Sequence, residues 1–183
     1  MIWLWILIGA VVLIAIIFFS YYNRFQILEN RIDNSLSQIN VQLKRRADLI
    51  PNLVKTVKGY AKHEKEAIKK VTDARKEMMK SDGLGDKVQA DEKLQSALKN
   101  LFAIAEGYPD LKANQNFLQL QNELTTTEDK IAYARQHFND SILTYNNLCK
   151  TFPGNVFANM FNKKERQYLQ VSEKEKKKPE VNF

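Results

Sequence analysis

This sequence predicts an all-α fold: a single N-terminal transmembrane helix followed by an antiparallel bundle of three to four long helices. Three observations predict it. The opening stretch, MIWLWILIGAVVLIAIIFFS, carries no charged side chain. Beyond it, long stretches place apolar residues three and four positions apart, the spacing of one helix face. Only 6 glycines and 4 prolines interrupt 183 residues, and no segment reads as a convincing strand.

The opening stretch sets the compartment. From Ile2 to Phe19 every residue is apolar or small. About 20 helical residues rising 1.5 Å each span the ~30 Å hydrocarbon layer. Trp3 and Trp5 lie near one end and Tyr21 and Tyr22 at the other. Aromatic rings with a polar edge favour both interfaces. A cleaved signal peptide fits less well, because no basic segment precedes the run and it ends in bulky Phe18-Phe19. Residues 1–22 are therefore expected to be an uncleaved, single-pass anchor in the cell membrane. Arg24 and Arg31 follow the span, Lys44, Arg45 and Arg46 come later, and no Lys or Arg precedes it. That bias puts the N-terminus outside and the bundle in the cytoplasm.

Residues 23–162 are expected to form the helical bundle domain. Leu36, Ile39, Leu43, Arg46, Ile50, Leu53, Val57 and Tyr60 step by three and four, a heptad seam of coiled-coil type that is apolar but for Arg46 and Tyr60's hydroxyl. The pattern continues to about Met79, and Ser81-Asp-Gly-Leu-Gly-Asp86 then signals a turn. A second helix is predicted from Asp86 to Glu106, with Ala90, Leu94, Ala97, Leu101 and Ile104 on one face. Gly107-Tyr-Pro-Asp110 ends it. A third runs from Leu111 to Cys149 along Phe117, Leu120, Leu124, Thr127, Ile131, Ala134 and Phe138, and TFPG at 151–154 stops it. VFANMF, 156–161, suits a short apolar helix. The short turns predict that the second helix returns toward the membrane and the third runs away from it. Residues 163–183 are expected to be a basic, disordered tail, poor in apolar side chains.

Two residues of the first seam conflict with it. Pro51 inside a helix costs ~3 kcal/mol and frees the carbonyl of residue 47. Water, a local widening, or the side chains of Arg46 and Asn52 are candidates to satisfy that group. The result is either a bend around partner helices or a hinge or docking notch. Arg46 at a seam position is costly unless paired. Glu123, Glu128 and Asp48 are candidate partners; snorkelling along the seam edge and contact with another protein are the alternatives.

The stretch RIDNSLSQINVQLKRRADLIPNLVKTVKGYAKHE resembles the signature of the LemA family. ANQNFLQLQNELTTTEDKIAYARQHFNDSILTYNNLCKTFPGNVFANMF resembles the second half of that family. With the anchor, the likeness covers nearly the whole chain except the 80–95 region and the basic tail. It implies a bacterial membrane protein with one N-terminal span and an α-helical bundle, and it implies no established enzymatic activity. The motif residues that it picks out are Arg46, Asp48, Pro51, Asn52, Glu123, Glu128, Tyr133, Ala134 and Arg135. Families of this type are linked to membrane proteolysis and quality control, which makes a membrane protease the first partner expected.

Catalytic and cofactor patterns are missing from the sequence. His63-Glu64 opens like a zinc-protease HExxH, but position 67 is Ala. His137 lacks a Glu three residues before it, so no di-iron Glu-x-x-His is formed. Cys149 has no evident base or orienting group. No glycine-rich phosphate loop is present. No metal, cofactor or catalytic residue is expected. The net charge is +7, but acidic and basic residues are interspersed, which suits solvated helix faces rather than nucleic-acid binding. The expected role is a scaffold or adaptor without catalysis that contacts the lipid bilayer and another envelope protein. The rivals are a homo-oligomeric membrane scaffold and a membrane-organising protein that binds anionic lipid.

Overall fold

The computed structural model describes residues 1–169. Its helices are α1 (Ile2–Tyr60), α2 (Lys65–Lys80), α3 (Leu84–Ala105), α4 (Pro109–Lys112), α5 (Gln115–Lys150) and α6 (Gly154–Met160). No strand occurs among the described residues. The all-α expectation is met.

The chain divides into two compact units: Met1–Ser37 with Ala134–Phe183, and Gln38–Tyr133. In the second unit the predicted seam of α1 is buried from Ile39 to Val57, Arg46 included. The corresponding face of α5 buries Phe117, Leu124, Thr127 and Ile131. Tyr60 meets Asn114 and Arg46 meets Glu128, so these stretches of α1 and α5 run antiparallel. Asn114, half-buried, caps α5: its Oδ1 accepts from the Phe117 N–H at 3.0 Å, the contact that satisfies an orphan donor of the first turn.

The expected continuation of the first helix to Met79 is corrected. α1 ends at Tyr60, and a four-residue turn leads into α2. The reason is a gap in the apolar pattern. Ala61 and Ala67 are buried, but Lys62, His63, Glu64, Lys65 and Glu66 between them are polar. A gap longer than one helical turn leaves nothing to hold the seam. α2 then packs on α3 as a helical hairpin, through Ala67, Ile68, Val71, Ala74 and Met78 of α2. The added helix reverses the parity of everything after it.

That reversal is seen in the first unit. Ser35 lies against His137 and Ser141, with Oγ–Nδ1 and Oγ–Oγ distances of 3.0 and 3.3 Å. Phe25 and Tyr145 pack edge to face at 6.0 Å. α5 therefore runs back toward the N-terminal apolar stretch of α1, contrary to the expectation that the last long helix runs away from it. That apolar stretch, Ile2–Phe19, is long and apolar enough to cross a membrane and is largely uncovered among the described residues.

Residues 163–169, expected to open a disordered tail, lie along α5 instead. The Asn146 side chain donates to the Arg166 carbonyl at 2.9 Å and accepts from the Arg166 N–H at 2.9 Å. Asn139 does the same for Leu169, at 3.1 and 2.9 Å. Two helical turns rise ~10 Å, and three extended residues cover about the same distance, so the two asparagines match the strand-like segment in register. Residues 170–183, the rest of the expected tail, lie outside the described residues.

Candidate functional site

The second unit holds the conflict that the sequence presents. Arg46 is 2% exposed and sits amid the apolar seam. Its Nη1 donates to Asp91 Oδ1 of α3 at 3.0 Å, and its Nη2 lies 3.6 Å from Glu128 Oε2 of α5. Gln95, one turn beyond Asp91, donates its Nε2 to Glu128 Oε1. Three helices are thus joined through one guanidinium. Its planar fork suits two carboxylates at once, which a lysine could not serve in the same way. Of the partners expected for Arg46, Glu128 is found; Glu123 and Asp48 are not among its contacts.

Asp91 was not anticipated. It is 5% exposed, and a signal for it exists. Asp91, Leu94, Leu98, Leu101 and Ala105 step by three and four, all buried. The acid therefore occupies a seam position of α3, as the arginine does in α1. One basic and one acidic residue, each out of place in its own apolar stripe, are a readable pair.

Pro51 is exposed, and α1 runs through it. The carbonyl that it frees, that of Ala47, accepts from Arg75 Nε of α2 at 2.8 Å. The side chain that replaces the lost N–H is therefore neither Arg46 nor Asn52 but a third residue, brought in by the α2 hairpin.

Asn52 and Glu123 come together differently. Both line a groove of about 640 Å³ between α1 and α5, with Leu49, Lys55, Thr56, Tyr60, Asn114, Asn116, Gln119 and Leu120. Asn114 Nδ2 donates to Tyr60 Oη at 2.9 Å, and Gln119 Nε2 donates to Glu123 Oε1 at 3.1 Å. The groove mixes side-chain amides and hydroxyls with two apolar residues and one charge of each sign. Such a lining can hydrogen-bond both N–H and C=O groups of a guest. Asp48 is exposed, Tyr133 is 69% exposed, and neither lines the groove. Arg135 is half-buried and belongs to the first unit. A second groove, also about 640 Å³, is lined by Lys58, Lys62, Lys65, Lys69 and Lys76 with Ile68, Thr72 and Asp73. Lysine stems cover apolar surface there while their ammonium groups reach water.

The first unit carries its own polar cluster. Glu29 receives Lys163 Nζ at 2.7 Å, the Tyr145 hydroxyl at 3.3 Å and Arg166 Nη2 at 3.8 Å. Burial, with the nearby Cys149 and Glu29, pushes the Tyr145 phenol up to about 12. Burial also pushes the Cys149 thiol up, away from the thiolate a nucleophile needs. Among the described residues no group of three His, Cys, Asp or Glu side chains is placed to hold a metal ion.

The profile of the LemA family matches residues 35–183. The chain belongs to the LemA family. Protein LemA of Metamycoplasma hominis is 29% identical over 167 residues, covering 89% of this chain and 76% of its own length. The magnetosome protein MamQ of Magnetospirillum gryphiswaldense is 28% identical over 174 residues, covering 81% of this chain. Magnetosome protein MamQ 2 of Paramagnetospirillum magneticum is 26% identical over 175 residues. The chain spans 64% of the length of these two magnetosome proteins. None of these names designates an enzyme, and an anchor-like apolar helix at the start of the chain is compatible with membrane association for this LemA-family member.

Proposed function

We propose that this LemA-family protein is a single-pass, membrane-anchored adaptor without catalysis. Ile2–Phe19 crosses the bilayer, the bundle faces the cytoplasm, and the groove between α1 and α5 receives a segment of another envelope protein. The observation that carries this reading is the groove itself. Side-chain amides from both helices converge on it, flanked by Lys55 and Glu123. Amide donors and acceptors suit the main chain of a guest peptide, and opposite charges at the rim select its orientation. The raised Cys149 thiol supports a role without nucleophilic chemistry. A membrane protease or another quality-control protein is the partner class to look for first.

The test is photo-crosslinking in intact cells. A photoreactive side chain replaces Asn52 or Asn116 in the full-length protein, and adducts are identified by mass spectrometry after mild detergent extraction. One dominant heterologous membrane protein, absent when the probe is moved to Asp140, is the expected result. Adducts between copies of the chain alone would replace the adaptor with a homo-oligomeric scaffold. No adduct at either position would remove the groove from consideration.

A further inference from the structure

α6 and its two ends carry five large apolar or aromatic side chains that face two ways. Phe157 stacks on Tyr21 of α1 at 4.5 Å, and Phe161 packs edge to face on Phe18 and Tyr22 at 5.1 and 5.5 Å. These rings hold α6 against α1 where the apolar run ends. Ala158 is buried, and a Cβ on Gly154 would lie 2.3 Å from the Leu148 carbonyl oxygen. Only glycine admits so close an approach of α6 to the end of α5.

The other side of α6 is bare. On α6, Val156 and Met160 lie one helical turn apart and are 51% and 64% exposed, and Phe152, in the turn that precedes the helix, is 83% exposed. Large apolar side chains gathered in exposed positions on one short segment mark an interaction surface. α6 itself has no charged residue; of the cations that flank it, Lys150 pairs with Glu165 and Lys163 and Arg166 pair with Glu29, while Lys164 stands beside them. This distribution matches a helix in the plane of a membrane interface, apolar on one side with cations beside it.

Depth agrees with this assignment. The apolar run of α1 is about as long as the ~30 Å hydrocarbon layer is thick, and polar headgroup regions bring the bilayer to ~40–45 Å. Residues just after Phe19 therefore lie at headgroup level, where Tyr rings are favoured. Phe157 and Phe161 both meet α1 there, around Tyr21 and Tyr22. One turn along α6 produces no net movement along α1, so α6 crosses α1 rather than following it. The exposed row is continuous in level with the uncovered helix that the anchor presents to lipid.

We propose that α6 is a second membrane contact, with Phe152, Val156 and Met160 seated in the headgroup–acyl boundary of the bilayer that α1 crosses. This inference rests on the spanning role given to Ile2–Phe19 above. It adds a lateral foot that sets the depth and rotation of the first unit at the membrane surface.

The test uses the full-length protein with Cys149→Ser, reconstituted in phosphatidylcholine–phosphatidylglycerol vesicles. Single cysteines, V12C, D140C, V156C and M160C, each carry the fluorophore NBD. Spin-labelled lipids quench it from shallow or deep acyl positions. The expected result is blue-shifted emission at 156 and 160, with shallow-label quenching at least threefold above that at 140 and deep quenching greatest at 12. Emission at 156 and 160 matching that at 140, with residue 12 deeply quenched, would overturn the foot and leave the anchor standing. Blue-shifted but unquenched emission at 156 and 160 would also overturn it, and would assign the row to contact with a second copy. Absence of quenching at 12 would overturn the spanning role, and this inference with it.

Discussion

At the scale of single residues, Arg46 is the position where physical chemistry discriminates most. A seam arginine is tolerable only because two carboxylates reach it from α3 and α5. Removing one member of a buried ion pair costs ~3–5 kcal/mol, whereas replacing the whole set with apolar groups is often neutral. Arg46→Leu, which leaves Asp91 buried without this guanidinium, is expected to lose stability in that range. Adding Asp91→Leu and Glu128→Gln should recover most of it. Urea unfolding of these two variants beside the unaltered protein measures both effects. Tyr145 supplies a pH signature. Its phenol is pushed up to about 12, whereas an unfolded tyrosine ionises near ~10. Below pH ~10 both states keep the proton, so the contribution to stability is complete and constant. As pH rises from ~10 to ~12 the unfolded chain ionises first, and stability falls. Tyr145→Phe should flatten that part of the pH dependence, as read by urea midpoints across the window. Both residues lie at recognisable positions of the helical pattern. Asp91 does so as well, but the pairing itself is not given by the pattern, because a three-four repeat reports which face is buried and not what lies opposite.

At the scale of elements, the α2 hairpin explains how α1 accommodates Pro51. The proline removes one donor, and Arg75 supplies another to the Ala47 carbonyl at 2.8 Å. A hydrogen bond from a charged group contributes ~1.5–3 kcal/mol. Arg75→Ala should therefore destabilise by about that amount. The loss should shrink when Pro51→Ala is also present, because residue 51 then has its own N–H for Ala47. A double-mutant cycle by chemical denaturation reads the coupling. The break between α1 and α2 was legible in principle. Lys62-His-Glu-Lys-Glu66 interrupts the apolar stripe, yet no Gly or Pro punctuates it, and a reading keyed to those residues passes over it. The segment at 163–169 was hidden for a different reason. Asn139 and Asn146 hold backbone, and an amide that binds backbone has the same sequence appearance as one that binds water.

At the scale of the whole molecule, the apolar run of α1 is long and apolar enough to cross a membrane, and the basic residues that follow it make the proposed orientation testable. The expected outcome is an N-terminus outside the cell membrane. A membrane-impermeant thiol reagent applied to intact cells should label a cysteine placed before Ile2, and should label D140C in a Cys149→Ser background only after the cells are opened. Labelling of D140C in intact cells would invert the topology and place the bundle outside. The adaptor role depends on this result, since it decides which compartment supplies the partner. The LemA-family match spans residues 35–183 and does not reach the anchor, so topology has to be argued from this chain's own charges.

Local chemistry was enough to establish the class of this protein. Helices, their buried faces, the membrane-length apolar run and the anomalies at Arg46 and Pro51 all follow from spacing and side-chain type within a few turns. Direction and pairing required the tertiary structure. One unforeseen turn at 61–64 reverses the later helices, so that α5 returns toward the apolar run and α6 is held beside Tyr21 and Tyr22. The same reversal brings Asp91 to Arg46 and Arg75 to Ala47. Amphipathic periodicity is a property of neighbours along the chain, whereas a contact between residues 45 or 28 positions apart depends on every turn between them.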